Sequence, residues 1–173
     1  IDVSIWESLF ATLGPNALVH ALTGVPPRRT GSRTISSAPR NTYLTKDGQW
    51  VALAGSTQST AIRLFTVIGR PELIEDPRFE NNMQRLLHNE ELDEFIAGWI
   101  AERDRDDVIA LLRENEVPVG PVYNIADIKA DPHAIAREMV IAAPDGDGRP
   151  PLDMEGIFPK LSETPGAVWA AGR

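Results

Sequence analysis

The chain has 173 residues, 17 Lys+Arg against 25 Asp+Glu for a formal net charge of -8, and 42% hydrophobic residues, enough for one domain or one and a fraction with a real core. Without a long basic run it lacks the electrostatic attraction that dominates nucleic-acid affinity, and no apolar stretch approaches the roughly 20 residues of a membrane span, so neither nucleic acid nor membrane is expected as a partner. The absence of cysteine removes disulfides, thiol nucleophiles and thiolate metal sites, and a cytoplasmic location fits it.

The chain opens on Ile1 rather than Met, and Ile1-Asp2-Val3-Ser4 reads as the end of a strand running into a helix, so a longer protein is expected. Ser4 with Glu7 has the spacing of a capping box, which predicts a helix start. Ile5, Leu9, Phe10, Leu18, Val19 and Leu22 form its apolar stripe, and Gly14-Pro15 should break it because proline lacks an amide donor. From Gly24 to Asn41 the chain is turn-rich and carries Arg28, Arg29, Arg33 and Arg40 with no acidic residue.

Tyr43 to Lys46, Asp47-Gly48 and Gln49 to Ala54 predict a β-hairpin, with Asp-Gly supplying a tight type I′ turn. Ser56 or Thr57 should cap the next helix, buried through Ile62, Leu64, Phe65 and Ile68 and stopped by Gly69-Arg70-Pro71. Asp76 to Phe79 is a turn, followed by helices near residues 80–88, 90–103 and 105–115. In the middle one Leu92, Phe95, Ile96, Trp99 and Ile100 recur at helical spacing and are expected in the core. Val117 to Val122 is too proline-rich for a central strand and reads as an extended edge or connector. A short helix capped by Asn124 follows. A further turn of helix begins at Asp131-Pro132 and runs through Met139, and a strand at Val140 to Ala142 ends at the turn Asp145 to Gly148. The Pro-, Gly- and Ser-rich tail has weak local preference.

No self-sufficient active site is visible. His20, His88 and His133 are far apart and lack zinc-site spacing, and Asp145, Asp147 and Glu155 do not follow the calcium-loop pattern, so no metal site is expected. Glycine-rich nucleotide motifs and the serine-hydrolase elbow are missing. The acidic residues Glu90, Glu91, Asp93 and Glu94 read as a solvated helix face. The basic loop is open to two readings, ion pairing between parts of the protein or binding of a carboxylate or phosphate by guanidinium groups.

Several segments in a fixed order carry a family resemblance: Pro26-Pro27-Arg28-Arg29-Thr30-Gly31-Ser32-Arg33 followed by Ala38-Pro39; Tyr43 to Gly48 before an apolar strand; Asp76-Pro77-Arg78-Phe79 with Asn82, Arg85 and Asn89; Val117 to Val122; and Asp131-Pro132-His133 with Arg137-Glu138-Met139. Over nearly its whole length the chain resembles the later half of a class III CoA-transferase, a family that includes formyl-CoA and carnitine CoA-transferases and α-methylacyl-CoA racemases.

The resemblance implies an α/β protein: a small α+β domain with flanking helical and extended linkers, from a two-domain enzyme whose two identical subunits interlock as rings. The organisation expected is a linker helix and basic loop over 1–41, the small domain over 42–143, and a C-terminal linker over 144–173. Family members use an aspartate that attacks an acyl-CoA thioester to give a mixed anhydride. It would lie outside this chain, so no catalytic residue is assigned here, Asp2 included, and the 173 residues alone should be inactive. The substrates implied are an acyl-CoA and a carboxylic acid, with coenzyme A bound only as a thioester substrate and no tightly held cofactor. The family's mobile loop over the reaction centre matches Ile35 to Pro39, making Ser36, Ser37, Ala38, Arg40 and Asn41 the substrate-loop candidates. A passive connector is the competing reading of that loop. Ser36, Ser37 and Pro39 replace the glycine-rich loop of formyl-CoA transferases, and Leu44 after Tyr43 departs from the racemases, which leaves transfer to another carboxylic acid ahead. The rival functions are an acyl-CoA racemase or isomerase of the same fold, and a non-catalytic acidic interaction module.

Overall fold

A computed structural model describes residues 2–171. Its backbone contacts fall into two units, one ending at Gly120 and the other beginning at Pro121. Both mix helices with a small sheet, as expected of an α+β domain.

The first unit opens with α1 (Ile5–Ala11) and α2 (Asn16–Thr23), separated at Gly14-Pro15 as the missing proline donor requires. Ser4 is the N-cap, but the capping box does not form; instead the Ser8 hydroxyl donates to the Ser4 carbonyl at 3.0 Å. Neither helix has a buried residue, and Ile5 and Trp6 are 81% and 78% exposed.

Strands β1 (Arg40–Leu44) and β2 (Trp50–Ala54) form the antiparallel hairpin, with Tyr43 opposite Val51. Period-two alternation buries Tyr43, Val51 and Leu53 and leaves Leu44 and Trp50 exposed. The turn differs from the type I′ expectation. Of its residues only Gly48 takes a positive φ, 74°, and the Thr45 amide donates to the Gln49 carbonyl across Lys46, Asp47 and Gly48. This is the three-residue loop with a left-handed glycine, and the Asp47 carboxylate steadies it by accepting the Thr45 hydroxyl at 2.5 Å. β3 (Val119–Pro121) joins the edge in the order β1-β2-β3, where proline is tolerated.

Helices α3 (Gln58–Val67), α4 (Asn82–Leu87), α5 (Asn89–Ala101) and α6 (Arg105–Glu114) complete the unit, with a 3-10 turn at Pro71–Ile74. Thr57 caps α3 by accepting the Thr60 amide. The core joins Val51 and Leu53 to Leu64, Phe65, Phe79, Leu92, Ile96, Ile100, Val108 and Leu112, all at most 2% exposed. Each side chain of this kind contributes about 1.5–3 kcal/mol by leaving water. Leu92, Ile96 and Ile100, four residues apart, occupy the centre of the α5 stripe. Phe95 and Trp99 lie at its margin and are only partly buried, with the Arg70 and Arg103 guanidinium groups stacked 4.1 and 4.2 Å from their ring centres.

In the second unit α7 (Ile125–Ala130) starts with a capping box between Asn124 and Asp127. α8 (Pro132–Ala136) starts where the Asp131 carboxylate accepts the His133 and Ala134 amides at 2.8 and 3.0 Å. It stops short of Met139, before Glu138 turns to a positive φ of 50°. β4 (Val140–Ala143) then pairs antiparallel with β5 (Leu152–Glu155), a strand the tail's composition did not announce. Gly156 permits this closure, since a Cβ there would lie 2.0 Å from the Glu138 carbonyl oxygen. Among the described residues no helix is long and apolar enough to cross a membrane.

Candidate functional site

Of the five substrate-loop candidates, Ser36, Ser37 and Ala38 lie in the irregular stretch before β1, while Arg40 and Asn41 open that strand. Asn82, at the start of α4, reaches the stretch with both ends of its amide. Its Nδ2 donates to the Ser36 carbonyl at 2.9 Å and its Oδ1 accepts the Ala38 amide at 3.1 Å. Arg85, one turn further along α4, donates from Nε to the Ala38 carbonyl at 2.8 Å and from Nη1 to the Gln58 side chain at 2.8 Å and the Phe79 carbonyl at 3.1 Å. The Gly55 amide donates to the Pro39 carbonyl at 2.9 Å. Ala38 is fully buried, Ser36 exposed, and the Ser37 hydroxyl lies 3.2 Å from that of Thr34.

Asn41 faces a second cluster around Asp93, which is 6% exposed. The Tyr43 hydroxyl donates to Asp93 Oδ1 at 2.5 Å, while Arg33 Nε and Asn41 Nδ2 donate to Oδ2 at 2.6 and 2.8 Å. Burial, then the Asp93 charge and its hydrogen bond, push the Tyr43 phenol well above its ordinary value. Asp93 therefore departs from the solvated face expected for the acidic run. Glu90 and Glu94 are exposed as anticipated, and half-buried Glu91 pairs with Arg78. The available signal was position: Asp93 is three residues from Ile96 and seven from Ile100, on the core side of α5.

The basic stretch divides. Arg33 is committed to Asp93 and Glu90, whereas Arg28, Arg29 and Arg40 are exposed and form no ion pair among the described residues. Arg28 and Arg29 border an open cleft of about 690 Å³ together with Arg33, His88 and Asn89, and the carboxylates of Glu90 and Glu91 line it as well. The Asn89 Oδ1 atom is buried and accepts no hydrogen bond among the described residues. Two free guanidinium groups can attract an anion there. Among the described residues no group of His, Asp and Glu could hold a metal ion, and His88 packs edge-on to Phe79 at 6.3 Å.

The first unit thus joins a loop held from α4 to an arginine pair at an open cleft. The chain belongs to CoA-transferase family III, whose description matches residues 1–172. It is 36% identical to succinyl-CoA–D-citramalate CoA-transferase of Chloroflexus aurantiacus, over 97% of this chain and 42% of that protein. It is 30% identical to acetyl-CoA:oxalate CoA-transferase of Acetobacter aceti, over 82% of this chain and 36% of that protein. A CaiB/BaiF family protein from Brucella suis superposes with a TM-score of 0.78 at 27% identity, covering 98% of this chain and 43% of the other. The chain thus spans about two-fifths of the length of the relatives it matches.

Proposed function

We propose that this chain forms the later part of an acyl-CoA:carboxylate CoA-transferase, in which it supplies the loop and arginines facing the acyl group while the rest of the enzyme supplies the nucleophile and most of the coenzyme A contacts. The observation that carries the reading is the match to CoA-transferase family III across residues 1–172, shared with relatives that are themselves named CoA-transferases. A carboxylate oxygen of an aspartate outside these residues attacks the thioester carbonyl carbon. The carbon–sulfur bond breaks, coenzyme A leaves as thiolate with the electron pair, and an aspartyl anhydride remains.

The Ser36–Asn41 segment lies against the acyl group in this reading, and Arg28 and Arg29 draw in the anionic substrate. Relatives are named for succinyl-CoA, malate, citramalate and oxalate, which favours a di- or hydroxycarboxylic acid as acceptor. The exposed apolar residues of α1, Ile5, Trp6, Leu9 and Phe10, are covered in the complete enzyme by its other part or by a second subunit, a burial worth about 25 cal/mol per Å².

The test incubates the complete gene product with succinyl-CoA and free malate, citramalate or oxalate in deuterated water. New acyl-CoA species support transfer. Deuterium entering the α-position of the acyl-CoA without a new thioester would instead establish a racemase or isomerase.

A further inference from the structure

Arg85 is the largest of the fully buried side chains, 1% exposed, and has no carboxylate within ion-pairing distance among the described residues. Arginine stays protonated in proteins, so a full positive charge sits in the interior satisfied only by neutral oxygens. An apolar, unbranched Met would fill much of the volume without the desolvation cost, which makes packing alone a poor reason for this residue. What the guanidinium adds is a rigid fork of donors, and the fork is spent on the Ala38 and Phe79 carbonyls and the Gln58 side chain.

Asn82 repeats the pattern one turn earlier. Its amide grips the Ser36 carbonyl and the Ala38 amide simultaneously, as the backbone of a neighbouring strand would. Pro39 is held from the other end by the Gly55 amide, and a Cβ at Gly55 would stand 3.0 Å from Pro39 Cγ. These bonds leave the amides of Ser36 and Ser37 unused by the buttress. We infer that Asn82 and Arg85 are positioning residues that hold Ser36 to Pro39 as a fixed frame for the acyl group. That the frame is required for turnover rests on the transferase reading above; that it is held by these two side chains does not.

Two readouts separate those claims. In the complete protein, amide exchange at Ala38 and Gly55 reports on the frame, and the hairpin amides of β1 and β2 serve as internal reference. Asn82→Ala and Arg85→Ala are expected to speed exchange at Ala38 and Gly55 by about tenfold or more while leaving the hairpin unchanged. In the complete enzyme both should lower kcat by about tenfold to a hundredfold with KM moving less than about threefold, because a displaced frame harms the reacting geometry more than binding. Arg85→Lys should not restore kcat, since one ammonium cannot replace the fork. Half-buried Asn82 keeps the test alive should Arg85→Ala fail to fold.

Unchanged exchange at both amides would overturn the frame. Faster exchange with wild-type kcat would overturn positioning and leave a structural brace. A complete wild-type enzyme that transfers no coenzyme A would refute the proposed function, while the exchange measurement would still decide the frame.

Discussion

Neutralising Asp93 without changing its shape is the sharpest perturbation of the first unit. Asp93→Asn keeps one carbonyl oxygen but removes the charge that accepts from Tyr43, Arg33 and Asn41. Hydrogen bonds to a charged group contribute about 1.5–3 kcal/mol against about 0.5–1.5 for neutral pairs. Whichever way the new amide turns, it also presents donors where a donor already points. The Arg33 side chain is 32% exposed, so solvent screens its share. The net loss is about 2–3 kcal/mol. Unfolding entropy near 2.1 cal/mol/K per residue, over a unit ending at Gly120, converts this to a Tm lower by about 8–12 °C. Thermal and urea denaturation followed by circular dichroism would measure it, with exposed Glu94→Gln as a control expected within about 0.5 kcal/mol. A Tm for Asp93→Asn equal to that of the control would refute the view that this carboxylate ties β1 to α5.

Core and margin of α5 should respond unequally: Ile96→Ala is expected to cost about 2–5 kcal/mol as a cavity-forming change, and Trp99→Ala about 1–2 kcal/mol, because the indole is only partly buried beneath Arg103. Equal urea midpoints for the two variants would contradict that ranking. Tyr43 predicts an alkaline signature. Its folded value lies above the unfolded value of about 10, so the contribution of the neutral phenol is complete below that pH and is lost as pH rises toward the folded value. The tyrosinate absorbance that wild type shows and Tyr43→Phe lacks should therefore appear only with unfolding; its appearance near pH 10 in folded protein would show the phenol to be solvated.

What could be read from the chain follows from how local each cause is. Proline at 15, the Thr57 and Asn124 caps, and the alternation of Tyr43, Val51 and Leu53 act within a few residues and were visible as spacing. The Asp47-Gly48 pair was legible as a turn but not as a turn type, since glycine serves both the two- and three-residue loops. β5 escaped because Leu152 to Glu155, although it alternates apolar and acidic residues, is only four residues long and acquires its order from β4 and from the close approach at Gly156. The frame was the least legible part. Asn82 and Arg85 stood out only as marks of family resemblance, because their partners in the Ser36–Ala38 stretch are 44 to 47 residues away and no local pattern announces a contact of that range. Trp99 shows the converse: a stripe names the buried face of a helix, while the neighbouring elements decide which of its members sits at the centre.

The central claim, that these residues shape the acyl site while the nucleophile lies outside them, is tested most directly by following oxygen. A carboxylic acid acceptor labelled with heavy oxygen would be turned over by the complete enzyme with succinyl-CoA, and the enzyme then digested and its peptides weighed. In the exchange, coenzyme A thiolate attacks the aspartyl carbonyl of the first anhydride and releases the donor acid; the acceptor carboxylate then attacks this aspartyl thioester and expels thiolate, and its bridging oxygen stays with the aspartate when thiolate attacks the acceptor's acyl carbonyl. The account predicts label on a single aspartate in a peptide outside the present 173 residues. Label on a peptide from this chain, Asp2 included, or transfer that leaves every aspartate unlabelled, would contradict it.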